Sequence, residues 1–277
     1  MTAEEQRETM ANDHAEIGMR MEKIKHKILV LSGKGGVGKS TVAANLAVSL
    51  AGQGAKVGLL DVDIHGPSIP QLLGISATPD QVITQSEPPL LSPVRASPNL
   101  CVMSTAFLLG HRDAAVIWRG PMKHNVIKQF LKDVAWGDLD YLIVDSPPGT
   151  GDEPLAAVQL LGNATGAVIV TTPQELAISD VRKCVTFCRQ LDLPILGVVE
   201  NMSGFVCPSC GECIAIFKSG GGQSMAESLK IPFLTRIPID PRLVEAGDSG
   251  ISYLTRFPET ETARAFETAV ARIARTM

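Results

Sequence analysis

The stretch Gly33-Lys34-Gly35-Gly36-Val37-Gly38-Lys39-Ser40-Thr41 constrains this chain more than any other. It matches the phosphate-binding pattern G-x-x-x-x-G-K-[S/T], which has meaning only between a buried strand and a helix. The flanks meet that condition. Residues 27–31 read Lys-Ile-Leu-Val-Leu, as a buried strand needs, and Val42, Leu46, Val48 and Leu50 suit a packed helix. Gly33, Gly35, Gly36 and Gly38 let the backbone curl so that several N–H groups converge on phosphate oxygens. A helix starting near Lys39 adds its positive dipole end. In such a loop the lysine, here Lys39, neutralises the β- and γ-phosphates, and the hydroxyl after it, on Ser40, ligates Mg²⁺. The whole segment from Gly33 to Thr41, Val37 included, is the expected cradle for the phosphates of ATP.

Further apolar runs at 55–60, 100–103, 141–145, 167–170, 195–199 and 233–237 alternate with helical patterns. That alternation predicts an α/β fold, a doubly wound and mostly parallel sheet with nucleotide at the strands' carboxyl ends. With 277 residues, 45% of them hydrophobic, the chain can bury one large core. Two strands end in acids. One closes on Asp61-Val62-Asp63, whose carboxylates face the ligand crevice and are expected to position an attacking water. The other closes on Asp145, followed by Ser146-Pro147-Pro148-Gly149. An apolar strand ending in Asp is the second magnesium element of phosphate-loop enzymes, so Asp145 is expected to hold a Mg²⁺-bound water. The Gly149 N–H is read as free to sense the γ-phosphate.

Lys34 supplies a second lysine in the loop. Lys-Gly-Gly-x-Gly-Lys-Ser/Thr resembles the deviant loop of the MinD/ParA and nitrogenase iron protein group. That resemblance implies that Lys34 reaches across a nucleotide-bound homodimer to the partner's phosphates and takes part in hydrolysis. It also implies that Asn201, at the end of the 195–199 strand, recognises the adenine ring.

The six cysteines fall into two kinds. Cys184 and Cys188 lie in the apolar stripe of a helix and Cys101 in a strand, where free cysteine behaves as a small hydrophobe. Cys207-Pro208-Ser209-Cys210-Gly211-Glu212-Cys213 is a loop, too dense in thiols to be core. Cys-x-x-Cys lets two thiolates converge on one metal, and zinc, an iron–sulfur cluster and a redox dithiol are all open on the residues alone. A four-ligand site needs more than one such pair, and a symmetric dimer provides it.

At this point the chain resembles the Mrp/ApbC family of iron–sulfur cluster carrier ATPases. The matching stretches are the phosphate loop, Asp61-Val62-Asp63-Ile64-His65-Gly66-Pro67-Ser68, Trp118-Arg119-Gly120-Pro121-Met122, Asp145-Ser146-Pro147-Pro148-Gly149-Thr150-Gly151-Asp152, and the run from Asn201 to Cys210. The resemblance implies a 4Fe–4S cluster bridging two subunits through Cys207 and Cys210. It implies delivery to apo-proteins together with the cluster assembly machinery, and hydrolysis that alters the dimer. The third thiol, Cys213, departs from the family pair. The rival readings are a MinD/ParA-like positioning switch and a zinc-stabilised ATPase dimer.

A formal net charge of −4 argues against wholesale nucleic-acid binding. No apolar run approaches the ~20 residues of a membrane span. Residues 1–26 are polar and acidic, unlike a signal or transit peptide. They read as a flexible arm, loose or partly helical, on a cytoplasmic ATPase domain of residues 27–277, into which the cysteine loop, about 203–220, is inserted.

Overall fold

Ile28, Leu29, Val30 and Leu31 are fully buried in the computed structural model, which describes residues 3–64, 66–85, 87, 89–108 and 120–277. His65, Trp118 and Arg119, part of the family stretches, lie outside the described residues. The chain begins with α1 (Ala3–Met21), β1 (Ile24–Ser32), α2 (Lys39–Gly52), β2 (Val57–Asp61), and the short α3 (Ile69–Leu72) and α4 (Pro79–Val82). Next come β3 (Val94–Ser97), β4 (Leu100–Ser104), α5 (Gly120–Asp133), β5 (Leu139–Asp145), α6 (Asp152–Leu161), β6 (Gly166–Thr171), α7 (Glu175–Gln190) and β7 (Ile195–Glu200). A small hairpin, β8 (Phe205–Val206) and β9 (Cys213–Ile214), precedes α8 (Gly221–Leu229), β10 (Phe233–Arg236), α9 (Pro241–Ser249), α10 (Tyr253–Arg256) and α11 (Glu261–Thr276).

Eight strands form one sheet in the order β10-β7-β6-β1-β5-β2-β4-β3. All pairings are parallel except β3 with β4, the edge hairpin. Parallel strands covered by helices on both faces must be apolar throughout, which explains the unbroken runs. From β1 the chain crosses by α2 to β2 on one side; from β5 it crosses by α6 to β6 on the other. The divergence opens a crevice at the carboxyl ends of β1 and β5, where such sheets bind ligands. Polar groups gather there. Ser32, Asp61, Ser104, Asp145, Ser146, Thr171 and Glu200 end their strands, or follow the end directly, with no exposed surface.

The N-terminal segment, read from the sequence as a loose or partly helical arm, is a docked helix. Residues 3–21 are helical, and β1 begins at Ile24, ahead of the expected boundary at 27. Ile17 and Met21 are buried, and α1 packs against α5 and α6. Asp13 meets Lys128 at 2.6 Å and Lys132 at 2.8 Å. The buried ammonium of Lys27 donates to the Met21 and Ile24 carbonyls, closing the end of the helix. A mostly polar sequence hides this docking, because one turn of apolar contacts and two carboxylates, Asp13 and Glu16, carry it.

Burial would raise the Asp13 carboxyl, but the hydrogen bonds from Lys128 and Lys132 outweigh it and hold it below its ordinary 3.8. A depressed acid contributes stability above its unfolded value and loses it as pH falls through the folded one. Thermal melts of wild type and Asp13→Asn are therefore expected to differ at neutral pH and to converge below pH 3.8. A gap that ignores pH would show that the ion pairs do not secure α1.

Candidate functional site

The phosphate loop joins β1 to α2. Gly38 caps α2 with φ +82°, and a Cβ at that position would collide with the Asn201 amide, so glycine is required on both counts. Lys39, the first residue of α2, is buried. Its ammonium lies 2.5 Å from Asp145 Oδ1, 3.9 Å from Asp63 Oδ2 and 3.3 Å from Ser40 Oγ. Side chains from the ends of β2 and β5 and from the loop thus meet at one cation.

The two buried acids behave differently. Burial, reinforced by the Asp145 charge, pushes the Asp61 carboxyl up to about 8 while Lys39 pulls it down. Burial also raises Asp145, against Lys39. Among the described residues Asp145 Oδ2 is buried without a hydrogen-bond partner. An orphaned carboxylate oxygen beside a serine hydroxyl is a donor set of hard oxygens, which fits Mg²⁺ with its retained waters.

Three expected roles meet a different geometry. Asp61 has no exposed surface. Its carboxylate accepts from the Ser104 hydroxyl at 3.0 Å and from the Asp63 and Ile69 N–H groups. It holds the loop after β2 in place, whereas Asp63 keeps 14% exposure. The Gly149 N–H, expected to be free, donates to the Ser32 carbonyl at 2.8 Å. Asn201 donates its side-chain amide to the Val37 carbonyl at 2.9 Å, so it grips the phosphate loop itself. Lys34 is half-buried and has no carboxylate partner among the described residues.

The cysteine loop is the β8–β9 hairpin with its turn. Cys207 N–H donates to Glu212 O and Gly211 N–H to Cys207 O, which folds residues 207–212 into a tight knuckle. The Cys210 and Ser209 N–H groups point hydrogen bonds at the Cys207 sulfur and hold its thiol below the ordinary range, as a metal ligand needs. Cys207 is half-buried, whereas Cys210 and Cys213 are exposed, beside the exposed apolar side chains of Val206, Ile214 and Ile216. Cys184 and Cys188 are buried in the core. Among the described residues no group of three or more His, Cys, Asp or Glu side chains is arranged to hold a metal within one chain. No helix among them is long and apolar enough to cross a membrane.

One residue escaped the sequence reading. Glu200, the last residue of β7, is fully buried. Its carboxylate accepts from Ser203 Oγ, from Gly220 N–H at 2.8 Å and from Gly222 N–H. The signal was the run Gly220-Gly221-Gly222: a Cβ on Gly222 would press on Glu200 Oε2 and Thr171.

Fold and loop together define a phosphate-loop NTPase of the doubly wound type. A family model described as ParA, the NUBPL iron-transfer P-loop NTPase, matches residues 23–274, and the chain belongs to that family. The match begins just after α1. The chain is 55% identical over 244 residues to the cytosolic Fe-S cluster assembly factor NUBP2 homolog of Culex quinquefasciatus, covering 87% of this chain and 94% of that protein. It is 52% identical to the Dictyostelium discoideum protein of the same description, over 87% and 91% of the two chains. Among solved structures it is similar to a nucleotide-binding protein of Archaeoglobus fulgidus in complex with ADP, at 45% identity and TM-score 0.74, over 86% and 91% of the chains. The cell division ATPase MinD of Pyrococcus furiosus matches with TM-score 0.63 at 25% identity, over 91% and 99%.

Proposed function

We propose that this protein is a homodimeric, cytosolic Mg²⁺-dependent ATPase that carries a 4Fe–4S cluster and passes it to apo-proteins. The observation that carries the reading is the knuckle of half-buried Cys207 and exposed Cys210, on a hairpin that follows closely on Asn201, which holds the phosphate loop. Family membership and the relatives named as cytosolic cluster assembly factors support it. The cluster is cargo. Two thiolates per chain suffice when two chains share it, and the apolar rim of Val206, Ile214 and Ile216 suits burial against a second copy. The ATPase unit starts with β1, and the stretch about 203–220 is its inserted cargo loop.

Bound Mg²⁺ would neutralise charge on the transferring phosphoryl group, with Ser40 and Asp145 as its protein side. Lys39 and the loop N–H groups bind the phosphates. Asp63 orients the attacking water, and Asp61 positions the loop that carries Asp63. Asn201 fixes the loop through Val37 and offers its remaining amide capacity to the base. Gly149 can reach the γ-phosphate only by releasing Ser32, which makes that hydrogen bond a switch. Hydrolysis is coupled to cluster transfer through the dimer.

The test is iron, acid-labile sulfide and zinc content of anaerobically reconstituted protein, with mass per particle. About four irons per dimer is the expected result. Stoichiometric zinc without sulfide would defeat the carrier reading and favour a zinc-stabilised ATPase.

The dimer has its own test. Lys34→Ala is expected to bind ATP normally but hydrolyse it about tenfold to a hundredfold more slowly, as when one preorganised charge is lost. Mixing it with Asp63→Ala subunits should restore activity, because one composite site regains both residues. Mixed dimers that stay inactive would place Lys34 in its own site only.

A further inference from the structure

Glu200 and Asn201 are adjacent residues at the end of β7 that hold two different loops. Asn201 donates to Val37 O in the phosphate loop. Glu200 grips both ends of the cysteine loop: Ser203 near its start, Gly220 at its finish, and Gly222 in the first turn of α8. Ser203 and Ser219 also meet across the loop's neck at 3.0 Å. The Arg236 guanidinium stands 3.6 Å from the same carboxylate. A fully buried glutamate is costly unless its acceptor sites are filled by donors. Here the donors come from opposite ends of one loop, so the charge closes the loop at its neck.

The backbone around this pair is fixed as well. Asn201 N–H donates to Thr171 O, Ser203 N–H to Ile237 O, and Ile237 N–H to Glu200 O. A displacement of Val37 therefore reaches the neck of the cysteine loop across one peptide unit. Gly222 allows the approach, since a side chain there would meet Glu200 and Thr171.

We propose that Glu200 is a positioning residue that couples the phosphate loop to the cysteine loop, setting how Cys207 and Cys210 are held according to the nucleotide bound. The proposal rests on the nucleotide and carrier reading above, but its test does not need the cluster. A Gln at 200 keeps the volume and removes the charge. It also turns one acceptor into a donor aimed at N–H groups that already donate.

The probe is the rate at which Cys207 and Cys210 are alkylated in the metal-free full chain, with ATP or ADP and Mg²⁺. Rates are read by mass spectrometry of the peptide, at a concentration where mass per particle is the same with both nucleotides. Wild type is expected to show about a fivefold or larger ratio between nucleotides, the usual lower end of coupling between two sites. Glu200→Gln should bind both nucleotides within about twofold of wild type while the ratio collapses toward one. Simple loosening of the loop would instead raise both rates and keep the ratio. Ser203→Ala, a milder cut at the same neck, should give an intermediate ratio and serves if Glu200→Gln does not fold. A wild-type ratio in Glu200→Gln or Ser203→Ala overturns the proposal, as does a ratio of one in wild type. Failure of wild type to take up iron, with the thiol ratio intact, would remove the cargo and leave the coupling.

Discussion

Cys207→Ser and Cys210→Ser proteins are expected to emerge from anaerobic reconstitution with almost no iron, while Cys213→Ser keeps about four irons per dimer, as a shared four-thiolate site requires. The contrast follows from the knuckle. Cys207 receives the Cys210 and Ser209 N–H groups, which favour its thiolate. Cys213 sits outside that turn, on β9, paired in register with Val206. All three variants should bind ATP normally, because their hydrogen bonds lie in the hairpin and not in the phosphate loop. Iron and sulfide analysis beside nucleotide titration reads both halves. Loss of iron in Cys213→Ser would leave a carrier with a different ligand set. Retention in Cys207→Ser would end the case for the knuckle as the cargo site.

Lys39→Ala should weaken ATP binding by about a hundredfold to ten-thousandfold. Two hydrogen bonds from a charged donor are lost, each worth roughly 1.5–3 kcal/mol, and about 1.4 kcal/mol is tenfold. The same substitution strips Asp145 and Asp63 of their shared cation, so a fall in melting temperature should accompany it. Lys39→Ala with Asp145→Asn separates the effects. Removing both charges should recover much of the stability and none of the affinity. Titration with a fluorescent ATP analogue decides the matter: near wild-type affinity in either variant would displace the phosphates from this loop.

The strands and the loop were legible because both are local. Residues 27–31 and 141–145 announce buried strands by being apolar throughout, and Gly-Lys-Ser announces the loop by chemistry. The separation of Cys184 and Cys188 from Cys207 and Cys210 was legible too, since one pair sits on a helical stripe and the other does not. What escaped is long-range hydrogen bonding. Nothing near Gly149 in sequence says that its N–H will meet Ser32, and nothing near Asp61 says that Ser104 and Ile69 will fill its carboxylate. The docking of α1 escaped for a related reason. Its carboxylate at Asp13 finds its lysines 115 and 119 residues away. Glu200 drew no role of its own because two of its donors, Gly220 and Gly222, lie beyond the cysteine loop.

The position of β1 has a consequence for how the chain folds as it is made. This strand leaves the ribosome early, yet its neighbours are β5 and β6, with Ile24 opposite Leu139 and Ser32 opposite Val170. Until those residues are synthesised, this central strand, buried from Lys27 to Ser32, has no permanent partner on either edge. At about 5–20 residues per second this leaves an apolar ribbon waiting several seconds. Contacts this distant also slow folding in free solution. The nascent chain thus passes through an aggregation-exposed interval before either loop can form, and shielding of its first third by a chaperone would fall within that interval.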